Sequence, residues 1–271
     1  MQKRTIKQIA SRIPKERKKG WWKKWLVLIP VLFLVFGFVY FVNLPQYQIN
    51  NVVVNGSVLT NQSELRSIAL EELQGNYLLV IPKTFSWFYP KSQIKQKLES
   101  KSSIMEAVPV LDSSTQTLNI SITERKQEYV WCEGTSDTKS ECFYMDKDGL
   151  VFINAPEFEG HVFLTFYGLI DGSPVGKQYL DKSKMQNLLG FIDDIKKYNL
   201  TTVAVFAKSE REVDLKLSSG TSIIISLESD LKNVSKSIGT LNQSTEFLNA
   251  SGGISKLNYL DLRYGSKAFW K

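Results

Sequence analysis

From Trp25 to Val42 the chain runs through eighteen residues without one charge, directly behind a segment dense in lysine and arginine. An α-helix rises about 1.5 Å per residue, so such a run reaches roughly 27–30 Å, close to the thickness of a bilayer's hydrocarbon core. Whatever follows must fold from a membrane surface outward. Lys3, Arg4, Lys7, Arg12, Lys15, Arg17, Lys18, Lys19, Lys23 and Lys24 stand against a single acid, Glu16, in the first 25 positions. Positive charge of this density holds its side of a span in the cytoplasm and sends the rest of the chain out. Trp21, Trp22 and Trp25 stand where an interfacial aromatic belt would lie. A cleaved leader has a shorter apolar core, about 7–15 residues, and a small-residue exit. Here Phe36, Phe38, Tyr40 and Phe41 lead instead into Asn43-Leu44-Pro45-Gln46, which reads as a retained anchor. Pro30 and Gly37 fit a span, since transmembrane helices tolerate both.

The net charge of +7 belongs to the tail. Ten basic residues and one acid give +9 over residues 1–25, and the remaining 24 basic and 26 acidic residues give −2. A nearly neutral external part lacks the clustered basic face that nucleic-acid binding needs, so no nucleic acid is expected as a partner. The basic tail is explained by topology, with contact to anionic lipid as a second use.

Some 228 residues lie beyond position 43, and their patterns divide in two. Ile49-Asn-Asn-Val52-Val-Val54-Asn-Gly56 is β-branched and ends at a turn-forming Asn-Gly, which predicts a strand. Asn61 with Glu64 three positions on predicts a helix start, and Leu65, Ile68, Ala69 and Leu73 follow at helical spacing up to Gly75. Pro90 is expected to open a second helix with Ile94 and Leu98 on one face. Val108–Leu111 and Leu118–Ile122 alternate as two strands around the polar stretch Asp112–Gln116. The resulting β-α-α-β-β order predicts two helices on one face of a three-stranded sheet. Ile81–Pro90 is unusually aromatic, and reads either as packing of a helix on a sheet or as a binding or membrane-proximal patch.

The second part begins with expected strands at Glu128–Cys132, Cys142–Met145, Leu150–Ile153 and Val162–Gly168, with Asp146-Lys-Asp148-Gly149 as a turn. Met185, Leu188, Leu189, Ile192 and Ile195 then mark an amphipathic helix over Asp181–Tyr198. Strands at Thr202–Phe206, Val213–Leu217 and Ile223–Ser226 follow. Leu231, Val234, Ile238 and Leu241 mark another helix after the cap candidate Asp230, and two last strands cover Tyr259–Arg263 and Lys267–Trp270. The expected division is a basic cytoplasmic tail at 1–24, a transmembrane helix at 25–43, a first module at 47–125 and a second at 126–271.

Taken in this order, the chain resembles the FtsQ/DivIB family of bacterial cell-division proteins. The residues that carry the resemblance are Ile49–Gly56, Ile120-Ser-Ile-Thr-Glu124-Arg125, Cys142-Phe-Tyr-Met-Asp146-Lys-Asp-Gly149-Leu-Val-Phe152 and Tyr259-Leu-Asp261-Leu-Arg263-Tyr264. The resemblance implies an α+β chain: a transmembrane helix, a POTRA module over 47–125, and a mixed α+β β-domain over 126–271. It also implies a non-enzymatic scaffold at the division septum, without a cofactor. Its expected partners are FtsB/DivIC-like and FtsL-like single-span coiled-coil proteins near the septal peptidoglycan synthase complex. The implied contact is strand addition at the last strand, with Tyr264, Ser266, Lys267, Ala268, Phe269 and Trp270 as partner-binding residues. Unpaired backbone groups on a sheet edge supply affinity in that mode, and alternate side chains supply specificity. Removing Tyr264–Lys271 is expected to abolish binding while leaving the fold mostly intact.

Cys132 and Cys142 are the only cysteines and flank the polar loop 133–141. Outside the cytoplasm they have three fates: a disulfide stapling a hairpin, buried free thiols, or a metal site, the last disfavoured because the chain has one histidine. That histidine, His161, follows Glu159-Gly160 and reads as an exposed turn residue. No nucleophile elbow, paired metal ligands or phosphate loop accompanies it, so no catalytic residue is assigned. Two other readings stay open: an anchored cell-wall enzyme or other envelope protein using its first module for a different task, and a type II glycoprotein suggested by sequons at Asn61, Asn119 and Asn233.

Overall fold

The computed structural model describes residues 21–134, 141–156, 158, 160, 162–265 and 267–271. His161 and Ser266 lie outside the described residues, as does most of the basic tail.

Helix α1, Trp21–Val42, starts four residues before the uncharged run, and its segment Lys24–Val42 is long and apolar enough to cross a membrane. Its side chains are exposed along nearly the whole length, as an apolar helix would be with lipid as its solvent. Its last turn packs on protein, where Val42 is fully buried.

The first sheet contains β1 (Asn51–Asn55), β4 (Ile104–Asp112) and β5 (Thr117–Glu124), with α2 (Gln62–Glu72) and α3 (Lys91–Glu99) in the first crossover. β5 is central, parallel to β1 and antiparallel to β4, so the order is β1-β5-β4. The helices bury Leu65, Ala69, Ile94 and Leu98 against Val52, Val54, Leu118, Ile120 and Ile122, every second residue of the facing strands. Asn61 caps α2 by accepting from the Ser63 N–H at 2.9 Å, as the sequence predicts. Pro90 is the residue before α3 and not its first turn, because its ψ of 60° is not helical. β4 is longer than expected, since Ile104, Glu106 and Ala107 pair with β5 although their burial does not alternate. A two-residue ladder joining β2 (Asn76–Tyr77) to β3 (Ile81–Pro82) was not foreseen, being too short for a periodic signal.

Gly56 shows why an Asn-Gly turn ends β1. Its φ is +90°, and a Cβ there would lie 2.4 Å from the Ile122 carbonyl oxygen.

The second sheet has nine strands: β6 (Tyr129–Cys132), β7 (Cys142–Met145), β8 (Val151–Ala155), β9 (Thr165–Tyr167), β10 (Thr202–Ala207), β11 (Glu212–Leu217), β12 (Ser222–Ser226), β13 (Tyr259–Tyr264) and β14 (Lys267–Trp270). Their spatial order is β14-β13-β12-β11-β10-β9-β6-β7-β8. β9 is three residues long, shorter than the predicted Val162–Gly168, yet it joins the two halves by pairing parallel to both β6 and β10. One face carries α4 (Lys182–Lys196), α5 (Leu231–Gln243) and α6 (Thr245–Ser251) over a core containing Trp131, Phe166, Phe191, Leu215 and Leu260. Asp181 and Asp230 cap α4 and α5, as expected for Asp before an apolar stripe. Helix α6 is not expected from the sequence, because seven residues hold too few apolar positions to show a period.

A smaller core lies on the other face at the β6–β8 end, where Val130, Cys132, Tyr144 and Phe152 meet Leu59 from the first unit. Cys132 and Cys142 are directly opposed in register and joined by a disulfide, with Cα atoms 4.1 Å apart. Their separation of ten positions closes a short loop, for which the chain-entropy estimate is about 2–3 kcal/mol. Denaturant melts of the oxidised and reduced chain are expected to differ by that amount. Equal midpoints would show that the β6–β7 ladder holds unaided.

One carboxylate fixes the loop of the first unit that meets the second, and another pairs across the junction. Glu124 at the end of β5 accepts N–H bonds from Val58, Leu59 and Thr60 at 2.7, 2.8 and 2.8 Å. Burial penalises its charge, but these donors outweigh the penalty and hold its pKa below the ordinary glutamate value. Beside it, Arg125 reaches Asp146 at 2.8 Å and the Ser102 carbonyl at 2.9 Å. The other Asp146 oxygen accepts from the Asp148 and Leu150 N–H groups, closing the predicted Asp-x-Asp-Gly turn.

Candidate functional site

The two long edges of the nine-stranded sheet are not equivalent. Outside β8, the Val151 N–H donates to the Lys177 carbonyl at 3.0 Å and the Gly176 N–H to the Val151 carbonyl at 2.8 Å. Leu150 also bridges to Gln178, so this edge is partly covered. Outside β14 no backbone partner occurs among the described residues. The open edge is therefore that of the last strand, Lys267–Trp270.

β13 and β14 form a tight hairpin. Tyr264 pairs with Lys267, Asp261 with Phe269 and Leu260 with Trp270, with an irregularity between Asp261 and Tyr264. Gly265 stands in the turn at φ +67°, in the left-handed region that a residue without Cβ enters at little cost. Period-two alternation sets the faces. Leu260 and Leu262 enter the core, and Tyr259, Asp261 and Arg263 lie on the helix-free face.

On that face Arg263 is fixed by two acids. Its Nη2 donates to Asp261 at 2.7 Å, its Nε to the same carboxylate at 3.0 Å, and its Nη1 to Glu212 of β11 at 3.1 Å. The hydrogen bond from Arg263 holds the Asp261 carboxyl below its usual range against the opposing effect of burial. The guanidinium also sits 5.3 Å from the Tyr264 ring centroid, within cation–π range. Tyr264 in turn meets Phe269 edge to face at 5.7 Å. Nearby on β11, burial pushes the Asp214 carboxyl above its usual value, opposed by Lys208 and Lys216.

Tyr264, Lys267 and Phe269 line a shallow groove of about 600 Å³ with Tyr259 and Asp261. Ala268 instead packs against the main core, and Trp270 meets the buried Phe247 of α6 edge to face at 5.3 Å. Of the expected partner-binding residues, then, three line the groove, one is turned inward, and Trp270 is half anchored by its own fold while still exposed. The segment is also tied into the fold. Removing Tyr264–Lys271 would take Ala268 from the core, uncover Phe247 and break the bonds between Lys271 and Tyr259. Sequence reasoning missed Tyr259, Asp261 and Arg263, although their i, i+2 spacing was a readable signal for one shared face. Glu212 carried no such signal.

No group of three or more His, Cys, Asp or Glu side chains able to hold a metal ion occurs among the described residues. No protein-family model matches this chain, and no curated protein does.

Proposed function

We propose that this chain is a membrane-anchored scaffold of the FtsQ/DivIB type. In this reading α1 crosses the membrane, the β1-β5-β4 unit is a POTRA module, and the nine-stranded unit is the β-domain that binds an FtsB/DivIC-like partner, with an FtsL-like protein, outside the cell membrane. The chain acts without turnover and helps control septal peptidoglycan synthesis during division. The observation that carries the reading is the open outer edge of β14, bordered by exposed Tyr264, Phe269 and Trp270.

Such an edge offers a row of unmatched N–H and C=O groups to an incoming strand. Aromatics beside it supply desolvated contact area, and the charged trio Glu212, Asp261 and Arg263 holds Tyr264 in place. The test is the affinity of the full chain for the partner, compared with Tyr264→Ala/Phe269→Ala. Hot-spot aromatics contribute about 2 kcal/mol or more each, so the double variant is expected to bind at least roughly a hundredfold more weakly. Both side chains are exposed, so its thermal stability should stay close to wild type. Unchanged affinity would sink the assignment of this edge.

A further inference from the structure

The first unit meets the end of α1 with an aromatic cluster. Phe41, in the last turn of the helix, lies 4.7 Å from the Tyr47 ring, 6.2 Å from Phe85 and 6.0 Å from Trp87. Val42 is buried, and β3 packs beside the same turn. The helix is thus seated on the unit, and the surface around that seat is held where the helix leaves the membrane.

This surface is apolar and uncovered. Trp87 and Phe88 are 69% and 60% exposed, while Leu78 and Leu79, at the tip between β2 and β3, are 87% and 92% exposed. From Gln74 to Pro90 the chain holds one charge, Lys83. Isolated exposed leucines need no explanation, but here two adjacent leucines and two adjacent aromatics are exposed on one segment that meets a membrane helix. The tip is also conformationally unfavourable for its residues. Leu78 and Leu79 adopt φ of +47° and +66°, a region that bulky side chains rarely enter and that Gly or Asn would occupy more cheaply. Water gives leucine no reason to be there.

We propose that this patch is a second membrane contact, in which Leu78, Leu79, Trp87 and Phe88 enter the external headgroup and upper acyl region of the bilayer crossed by α1. Tryptophan favours that zone, and apolar side chains reach about 5–10 Å into it from an interfacial element. Lys83 is placed to meet anionic headgroups. The contact continues the surface of α1 and fixes the tilt of the first unit on the membrane. The inference rests on α1 crossing the bilayer.

The experiment uses the full chain with its disulfide oxidised, reconstituted in vesicles of phosphatidylcholine and phosphatidylglycerol. An environment-sensitive fluorophore is placed at Leu79→Cys or, separately, at Val35→Cys in α1, and quenched by lipids carrying a doxyl group near the headgroup or near the acyl terminus. Both positions are exposed, so the label displaces no core. The expected result is stronger quenching of Leu79→Cys by the shallow lipid than by the deep one, with Val35→Cys quenched by the deep lipid. Quenching at Val35→Cys alone would overturn the second contact while leaving the span intact. Quenching at neither site would overturn the span and this proposal together. An unquenched Leu79→Cys that is shielded from water and crosslinks to another copy would overturn it in favour of self-association.

Discussion

Replacing Arg125 by alanine is expected to destabilise the chain by roughly 3 kcal/mol, near the lower end of the range for breaking a buried ion pair. Asp146 has a side chain 8% exposed, so its charge would stay buried with one oxygen held by two N–H groups and the other bare. The Ser102 carbonyl would lose its donor as well. Arg125→Lys retains charge but lacks the fork that reaches both acceptors, and should recover part of the loss. Asp146→Asn keeps the turn-closing oxygen and should cost less than removing Arg125. Because this pair joins the two units, a denaturant melt followed separately in each should show their transitions drawing apart in Arg125→Ala. Coincident transitions at the wild-type midpoint would mean that the packing of Leu59 holds the junction without the ion pair.

Phe166→Ala should cost still more, roughly 3–5 kcal/mol, from lost transfer energy and the cavity left behind. Phe166 is fully buried in the middle of β9, edge to face with Tyr129 at 5.6 Å and Tyr179 at 5.2 Å. Among the described residues its strand is the only ladder connecting β6 to β10, and the Trp131 indole donates to the Gly168 carbonyl just beyond it at 3.0 Å. The expected signature is a lowered midpoint together with a smaller dependence on denaturant, because the β6–β8 half would unfold before the β10–β14 half. A parallel shift with unchanged slope would show that the halves remain cooperative through the helices. Phe166→Leu, which preserves much of the volume, should restore most of the stability.

The relation between chain and fold is uneven for a physical reason. Asn61, Asp181 and Asp230 were readable as caps because a cap acts on N–H groups two or three residues away. β7 and β14 have the predicted limits because alternation and turn chemistry sit within the strand and its neighbours. β9 was overextended because what ends it is the reach of its two partners. In the candidate site, the terminal hairpin and its aromatics were legible, whereas the inward turn of Ala268 and the anchoring of Trp270 on Phe247 depend on a helix with no visible period.

By itself, the sequence determined the apolar helix, the charge asymmetry across it, the two β-rich and helical patterns and the cysteine pair flanking one loop, since all of these arise from neighbours along the chain. The tertiary structure decided that β9 lies between β6 and β10, that the β8 edge is partly covered while that of β14 is open among the described residues, that Arg125 meets Asp146, and that Phe41 meets Trp87. These pairings join residues far apart in sequence. They are selected by the burial and hydrogen bonding of the whole assembly, which no local window contains.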